Sequence, residues 1–432
     1  MYKESTCFEE SRMSVATVTV DRRMFRALRA FNAERLHYLD EAAAAGPLTR
    51  LRFGPVTSWV VSDAEIARDM LITHGANWER PPVAVIPIRL GIGENLFTQS
   101  DADWSLLAPS VAPAFRRRAL DERLGSIAPI IAAGVGAIGY GRPVDVELHM
   151  GAIALQLAAW VLFGETLVLE RALEIANCQR NVVNWVGTRM GQLRAVVPIA
   201  TGASARTMRA NRGVLDAYAD EVIAHAQVRT DPGDDTAGLL LAARPNGSPL
   251  GAKALREHVL GLLLAGNETT AAALAWACVN AAQNPSEWAK LRAEPTRARA
   301  YIDETLRLTP AVWAIPRRPT RRGVCIGNQK ISRNEVVSIY LRGINRNAQL
   351  WQDPLVFRPD RHYVRSEADS SLIPFGLGSR GCIGQHLAIA EMISTLPVLA
   401  AHGNIAIDGD AEPDPSFALR IRGGLRARWM PV

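Results

Sequence analysis

The sequence predicts a mainly α-helical protein with a small β portion, folded around one large core. Apolar residues recur every three or four positions over most of residues 63–308 and again over 383–400, which is the period of an amphipathic helix. β-like segments separated by glycine and asparagine occur near residue 50 and over 312–345. No internal repeat or low-complexity linker interrupts the 432 residues. We therefore expect a flexible leader over 1–20, followed by a single domain over 21–432.

The individual elements follow from these periods in chain order. A helical pattern over 22–45 is followed by two short strands, G-P-L-T-R-L-R-F and T-S-W-V-V-S, which flank a turn at Gly54 and Pro55. The polar cluster D-P-G-D-D at Asp231 predicts a turn within the domain. The helices predicted for the rest of the chain cover 63–73, 103–135, 150–163, 170–190, 205–227, 235–244, 252–282, 286–292, 297–308 and 383–400.

Composition and charge exclude several classes of protein. With 48% hydrophobic and 21% charged residues, the chain has enough apolar surface to bury a large core. Its net charge of +6 suits an acidic partner protein, but no basic run exceeds Arg116–Arg118, so we expect no nucleic-acid binding. The longest apolar run near the middle, V-L-G-L-L-L-A-G from Val259, is far shorter than the roughly 20 residues of a membrane span. We therefore expect a soluble protein with no transmembrane segment.

The cysteines and the N-terminus predict a cytoplasmic location. Five cysteines without the spacing of metal ligands or disulfides favour a reducing compartment. The first residues carry acidic side chains and lack the apolar region of a signal peptide.

The stretch P-F-G-L-G-S-R-G-C-I-G contains a glycine pattern, G-x-G-x-x-G, that is typical of dinucleotide-binding turns. That pattern is diagnostic only when a strand precedes it, a helix follows it and an acidic residue lies about 20 residues further on. A helix is predicted to follow, but residues 392–407 contain no carboxylate. The loop also lies too near the C-terminus to build a parallel sheet. The sequence therefore argues against a dinucleotide site.

A thiolate site explains the same loop better. Cys382 stands at the start of a predicted helix, where the helix dipole and free backbone N–H groups favour a thiolate. The surrounding glycines let the backbone approach the sulfur closely. Such a loop suits a heme iron, which needs a single axial thiolate from the protein. The remaining cysteines lack this setting and are interpreted as inert: Cys7, Cys178, Cys278 and Cys325.

At this point the sequence resembles a known family. The run F-G-L-G-S-R-G-C-I-G is similar to the heme-binding loop of the cytochromes P-450, the heme-thiolate monooxygenases. The resemblance implies the triangular-prism fold of that family and heme b (iron protoporphyrin IX) as the cofactor. It also implies that Cys382 is the axial ligand of the metal, that Phe375 packs beside the sulfur, and that Arg380 pairs with a heme propionate.

A second signal lies upstream, in E-T-L-R from Glu304 to Arg307. An acid and an arginine three residues apart share one helix face, and an exposed pair of this kind contributes little to stability. The later segment W-Q-D-P-L-V-F-R-P-D-R resembles the meander of the family. The resemblance implies that its Arg361 joins the pair in a buried network behind the cysteine loop, where it would hold the loop's geometry.

A third signal is A-G-N-E-T-T inside the long apolar helix 252–282. Burying Glu268 is costly without compensation, and a threonine hydroxyl can bond the carbonyl one turn back. Gly266 removes a side chain where a flat group could approach. These residues alone leave a tolerated polar kink as an equal alternative. The resemblance implies an oxygen-activating groove, in which Glu268 and Thr269 are the catalytic pair that relays protons.

A fourth match departs from the family pattern. The segment D-A-D-W-S-L-L-A-P-S-V resembles the one whose tryptophan and arginine contact a heme propionate. Trp104 is present, but Ala108 occupies the arginine position. The resemblance assigns a further propionate contact to Arg318, with Arg317 as the adjacent alternative.

The resemblance implies a monooxygenase that inserts one oxygen atom from O2 into a lipophilic small molecule, by hydroxylation or epoxidation. A ferredoxin or flavodoxin with its reductase would supply the electrons. The predicted pocket segments are Pro81–Phe97, 180–200, the groove helix and Ala314-Ile315, which are largely apolar. Two alternatives stay open: a heme-thiolate enzyme that does not oxygenate (isomerase, dehydratase or peroxygenase) and a nicotinamide dehydrogenase built on the glycine loop.

Overall fold

The structure, a computed structural model, describes residues 15–190, 202–229, 235–362 and 372–432. Over these residues the chain is mainly helical with small sheets, so the predicted fold class is confirmed. The helices are α1 Met24–Ala33, α2 Arg35–Ala45, α3 Ala64–Arg68, α4 Pro82–Ile92, α5 Asp101–Val111, α6 Arg117–Leu124, α7 Ala128–Gly136, α8 Val146–Phe163, α9 Leu169–Arg189, α10 Ala203–Val228, α11 Thr236–Ala242, α12 Ala252–Gln283, α13 Pro285–Ala293, α14 Ala298–Leu308, α15 Leu341–Ile344 and α16 Gln385–His402.

The strands form one larger sheet and three small ones. They are β1 Ala16–Asp21, β2 Leu48–Phe53, β3 Val56–Val61, β4 Trp78–Glu79, β5 Val144–Asp145, β6 Ile315–Pro319, β7 Cys325–Ile326, β8 Gln329–Lys330, β9 Val336–Ile339, β10 Asn404–Asp408, β11 Pro413–Pro415, β12 Leu419–Ile421 and β13 Arg426–Met430. The larger sheet has the order β1-β2-β3-β9-β6-β4, so strands from both halves of the chain meet in it. Its β6 carries the two arginines considered for the propionates.

Helices α8 and α12 form the centre of the helical core. Both are long and apolar enough to cross a membrane, but 89% and 72% of their apolar windows are buried within the protein. They therefore pack as core helices. Helix α8 begins after Asp145, whose side chain accepts the backbone N–H of Leu148, and ends at Gly164 in the left-handed conformation. Helix α16, which follows the cysteine loop, packs against α12 and α14.

The first strand corrects the predicted leader. Residues 16–20 of the expected leader belong to β1, which pairs in parallel with β2 from Ala16 opposite Thr49 to Asp21 opposite Phe53. Residues 1–14 of the expected leader lie outside the described residues. The pairing is non-local, and the sequence pattern of β1 alone did not reveal it.

Two further helix predictions are corrected. The stretch 103–135, predicted as one helix, is three helices: Pro113 lies in a 3-10 turn that separates α5 from α6, and α6 ends at Leu124, before α7 begins at Ala128. Helix α4 was not predicted, although Pro82 occupies its first position, where proline is well tolerated.

Cys325 is disulfide-bonded, which the cysteine spacing did not predict, and Cys7 lies outside the described residues.

Candidate active site

The glycine-rich loop before α16 holds Cys382 in a tight turn. Gly376 and Gly378 adopt positive φ angles of 70° and 74°, which glycine tolerates best. A Cβ atom on Gly378 would lie 1.9 Å from the carbonyl oxygen of Leu71, so only glycine fits where the loop packs on that turn. The backbone N–H of Cys382 donates to the carbonyl oxygen of Phe375 at 2.9 Å and closes the loop.

Cys382 differs from the buried cysteines in its accessibility. Its side chain is exposed, whereas Cys178 and Cys278 are buried in the core. Nearby protein atoms still desolvate the Cys382 thiol and raise its pKa, while the backbone N–H of Gly384 donates to the sulfur and lowers it. Complete burial raises the pKa of Cys278 to about 12. The loop therefore presents one accessible sulfur with a backbone donor aimed at it.

One face of α12 is accessible although the helix lies in the core. Between residues 258 and 281, only Ala265, Gly266 and Thr269 are less than fully buried. Ala265 and Thr269 lie four residues apart and share a face of the helix. The Thr269 hydroxyl donates to the carbonyl oxygen of Ala265 at 2.9 Å, as expected, and the helix continues unbroken around this bond.

Gly266 lies on the side of α12 that packs against α8. A Cβ atom on this residue would lie 3.6 Å from the Cβ of Ala158 and 3.7 Å from the Cδ1 of Leu162, both on α8. These are ordinary contact distances, and the approach of a flat group at Gly266 stays a prediction.

Glu268 is buried and forms an ion pair with Arg420 of β12. The Nε of Arg420 lies 2.7 Å from Oε1 of Glu268, although the two are not aligned as a hydrogen bond. The Nη1 of Arg420 donates to Oδ1 of Asn184 on α9 at 2.8 Å. Glu268 is thus a compensated buried charge. Sequence reasoning missed Arg420, because no local pattern links it to a residue on α12.

Three arginines from different elements converge near Trp104. Arg380 of the cysteine loop lies over the Trp104 ring at 4.4 Å, and its Nη2 lies 2.6 Å from the carboxylate of Asp101. Desolvation and repulsion from Arg380 lower the pKa of Arg80 to about 9 and that of Arg317 to about 10, with Asp101 opposing the shift in both. The Nη1 atom of Arg80 is buried without a hydrogen-bond partner.

This arginine cluster fits the heme that the resemblance implies. The guanidinium groups of Arg80, Arg317 and Arg380 face one carboxylate, Asp101, which leaves two uncompensated positive charges in a poorly solvated site. Such an excess is unfavourable unless an anionic group neutralises it. Two propionates would supply two negative charges. The sequence analysis did not identify Arg80 as a member of this cluster.

Arg318 does not belong to this cluster. Alternate residues of a strand point to opposite faces, and in β6 Arg317 is buried while Arg318 is half-buried. Arg318 lies opposite Glu79 of β4 and pairs with its carboxylate at 2.8 Å. The structure therefore places Arg317, the adjacent alternative, in the cluster, and Arg318 outside it.

The Glu304–Arg307 pair is a fully buried network, as the resemblance implied. Arg307 donates from Nε and Nη2 to the two carboxylate oxygens of Glu304 at 2.8 and 2.9 Å. Arg361 donates to Glu304 at 3.0 Å, and His362 lies 2.9 Å from it. Burial alone would raise the pKa of Glu304, but the hydrogen bonds from Arg307, His362 and the Arg358 backbone outweigh it and lower the pKa to about 2. The sequence analysis did not assign His362 to this network.

Aromatic side chains lie where the substrate pocket was expected. Phe97, after α4, contacts Phe417 between β11 and β12 edge to face, with ring centroids 5.8 Å apart. Arg80 lies over the Phe97 ring at 4.8 Å, so the aromatic pair adjoins the arginine cluster. The backbone N–H of Leu419 donates to the carbonyl oxygen of Ala311, which anchors this hairpin. Of the predicted pocket segments, residues 191–200 lie outside the described residues.

Comparisons with known proteins show the family and agree with the fold. The family model described as Cytochrome P450 matches residues 28–402. Two relatives come from Streptomyces melanosporofaciens. Cyclooctatin synthase is 29% identical to this chain, with 90% of this chain and 88% of the relative covered. Cyclooctat-9-en-7-ol 5-monooxygenase is 25% identical, with 85% of this chain and 84% of the relative covered. The crystal structure of CYP175A1 from Thermus thermophilus has a TM-score of 0.77 at 20% identity, covering 96% of this chain and 99% of that chain.

Proposed function

Because this chain belongs to the cytochrome P450 family and is a heme-thiolate monooxygenase, we propose that it inserts one oxygen atom from O2 into a lipophilic small molecule by hydroxylation or epoxidation. The observation that carries the proposal is the accessible sulfur of Cys382, held in a glycine loop with a backbone donor aimed at it. Bound heme b supplies the oxygen chemistry, and thiolate ligation favours O–O cleavage. The protein's own residues bind the cofactor, orient the substrate and move protons.

We assign the cofactor contacts from the residues described above. Cys382 is the ligand of the metal, and Phe375, joined to it by a backbone hydrogen bond, lines the sulfur side. The propionates pair with Arg380 and Arg317, and the Trp104 ring stacks against the Arg380 guanidinium. Arg80 is the third cationic partner.

Arg80→Gln is expected to loosen the cofactor without unfolding the protein. The variant keeps a polar side chain but loses a charge-assisted contact worth about 1.5–3 kcal/mol, which corresponds to heme affinity weaker by roughly 10- to 100-fold. The measurement is the rate of heme transfer to excess apomyoglobin. Arg318→Gln is the matched control, since Arg318 pairs with Glu79 and should leave the transfer rate unchanged. Equal heme-transfer rates in the two variants would show that Arg80 contributes no more to heme binding than Arg318 does.

The proton-handling residues are assigned to the accessible face of α12. Thr269 holds its hydroxyl on this face, and Glu268 precedes it in the chain with a carboxylate kept in place by Arg420. Glu268 supplies the proton, and the Thr269 hydroxyl orders the hydrogen bonds that deliver it. Retention of this pair favours an oxygenating enzyme over the non-oxygenating alternative.

Thr269→Ala should uncouple electron transfer from product formation. Alanine favours the helix more than threonine does, so the variant should fold and bind heme with an unchanged thiolate spectrum. Without the hydroxyl we expect similar electron consumption, less oxygenated product and more hydrogen peroxide, because a positioned proton donor is worth ~10²–10⁴-fold in its step. Product and peroxide are measured per electron pair.

Thr270→Ala is the matched control for this experiment. Thr270 lies on the same helix but is buried, with its hydroxyl directed at Glu391 at 3.4 Å. Its replacement should leave coupling near the wild-type level. Wild-type coupling in Thr269→Ala would place Thr269 outside the oxygen site and support the non-oxygenating alternative.

The substrate, the electron donor and the location follow from surface and pocket chemistry. The Phe97–Phe417 pair favours a neutral or weakly polar lipophile, and a terpenoid is one such class.

On α6, Arg117 and Arg118 have side chains that are 83% and 94% exposed, and this helix contacts α16 beside the cysteine loop. Those charges suit an acidic ferredoxin or flavodoxin, which works with its reductase. We place the protein in the cytoplasm, where such carriers are reduced.

Two spectroscopic and kinetic measurements test the proposal. The reduced carbon-monoxide complex should show a red-shifted Soret band, and absence of heme absorption would favour the nicotinamide dehydrogenase. Oxygen consumption should then be coupled to an oxygenated product. Product formed without oxygen uptake would favour an isomerase or dehydratase instead.

A further inference from the structure

Arg420 is shared by two buried carboxylates, of which only Glu268 has been given a role. Glu147, in the first turn of α8, is 7% exposed, and Glu268 is 4% exposed. The Oε1 of Glu147 accepts the backbone N–H of Ile421 at 2.9 Å, so this carboxyl is attached to the residue that follows Arg420. The two carboxylates and the guanidinium therefore form one buried cluster where α8, α12 and β12 meet.

A groove connects this cluster to the surface. It has a volume of about 1130 Å³ and lies between the α1–α2 junction, α9 and the β11–β12 hairpin. Glu147 and Arg420 line it, whereas Glu268 does not.

The charges around Glu147 single it out among the acids of the cluster. It faces Arg420 on β12, Glu268 on α12 and Asp145 at the start of its own helix. Burial raises its pKa, and the negative charges of Glu268 and Asp145 add to the rise, while Arg420 and the backbone N–H oppose it. Asp145 is committed elsewhere, since Arg180 of α9 donates to it at 2.6 Å and it caps α8. Glu147 is the carboxyl in direct contact with Ile421 that also lines the groove, and its pKa is raised.

We propose that Glu147 takes protons from water in the groove and passes them to Glu268, which makes it the entry residue of the proton path to the oxygen site. For each proton that Glu268 gives toward Thr269, Glu147 returns one to Glu268 and regains one from the groove. Arg420 stays charged throughout, because a guanidinium does not release its proton in proteins, and it serves to hold Glu268 in reach. The inference deepens the proposed function and rests on the assignment of Glu268 and Thr269.

The experiment compares three variants as heme-loaded full-length protein. Glu147→Gln keeps an oxygen that accepts the Ile421 N–H, but its amide cannot carry a proton. Glu147→Asp keeps a carboxyl group. Glu412→Gln is the control, because Glu412 also lines the groove but is 68% exposed and paired with Arg422. With NADPH, a surrogate ferredoxin and its reductase, the share of electrons recovered as hydrogen peroxide is measured without added substrate. In Glu147→Gln we expect the ratio of peroxide to water to rise roughly tenfold, less than for loss of a direct donor at ~10²–10⁴-fold. In Glu147→Asp the ratio of peroxide to water should return most of the way to the wild-type value, and in Glu412→Gln it should equal that value.

A second readout does not depend on turnover. The difference between the infrared spectra of the wild type and Glu147→Gln should contain a protonated-carboxyl band that persists above pH ~4.3, where an ordinary glutamic acid ionises. The buried Glu391, whose pKa burial also raises, contributes equally to both spectra and cancels in the difference. Wild-type peroxide ratios in Glu147→Gln, or a difference spectrum without this band, would overturn the inference. If Thr269→Ala also leaves the peroxide ratio unchanged, the proposed oxygen site itself fails. If Thr269→Ala raises the ratio and Glu147→Gln does not, only the entry role of Glu147 is wrong.

Discussion

Cys382→Ala is expected to abolish the thiolate spectrum and, with it, oxygenase activity. In the proposed assignment the Cys382 sulfur holds the heme iron, and alanine provides no replacement. The reduced carbon-monoxide complex should therefore lose its red-shifted Soret band, and product formation should fall to background. Since Cys382 is exposed, its loss opens no cavity in the core, so the protein should remain folded.

Cys178→Ala and Cys278→Ala are the controls for the ligand assignment. Both cysteines are buried in the core, whereas Cys382 is exposed, so neither sulfur is accessible to a heme iron. Each variant should keep the full thiolate spectrum, with only a moderate loss of stability. A variant at either position that loses the spectrum while Cys382→Ala retains it would refute the assignment.

Glu304→Ala should yield little heme-loaded protein. Removing the carboxylate leaves Arg307, which is fully buried, without its partner, and breaking a buried pair costs about 3–5 kcal/mol. Arg361 and His362 lose the same acceptor, so the segment behind the cysteine loop should be released. The measurements are the heme-to-protein ratio after purification and the free energy of unfolding.

Asp303→Ala is the matched control on the same helix. Asp303 pairs with Arg299 at 2.7 Å, but the arginine side chain is 56% exposed, and exposed pairs contribute about 0–1 kcal/mol. Normal heme loading is therefore expected in this variant. Equal heme loading in Glu304→Ala and Asp303→Ala would show that burial of the Glu304 network does not support the cofactor site.

The Glu304 network also makes stability depend on pH in a defined direction. The pKa of Glu304 is lowered to about 2 in the folded protein, below the ~4.3 of an unfolded chain. Its contribution is thus fully present above pH ~4.3 and decreases as the pH falls toward 2. The difference in unfolding free energy between the wild type and Glu304→Gln should shrink across this interval. A difference that stays constant would show that Glu304 does not titrate with folding.

Local patterns were sufficient to predict the long helix α12 and the cysteine loop. Helix α12 was expected over 252–282 and covers Ala252–Gln283, because an apolar period of 3.6 is contained in the helix's own residues. The loop around Cys382 was recognised from its glycines, which two positive φ angles and a close backbone contact require. The Glu304–Arg307 pair was visible from its spacing of three residues, although only the resemblance indicated its burial.

Contacts between distant segments were decided by the tertiary structure alone. Whether Arg317 or Arg318 turns inward depends on the register of β6 against β4, and a one-residue shift would exchange them. Arg80 reaches the site because β4, β6 and α4 bring it beside Phe97. The cluster of Glu147, Arg420 and Glu268 joins residues more than a hundred positions apart. A sequence pattern reports which residues share a helix face or a strand side, but burial, charge pairing and the resulting pKa shifts arise only when separate elements pack together.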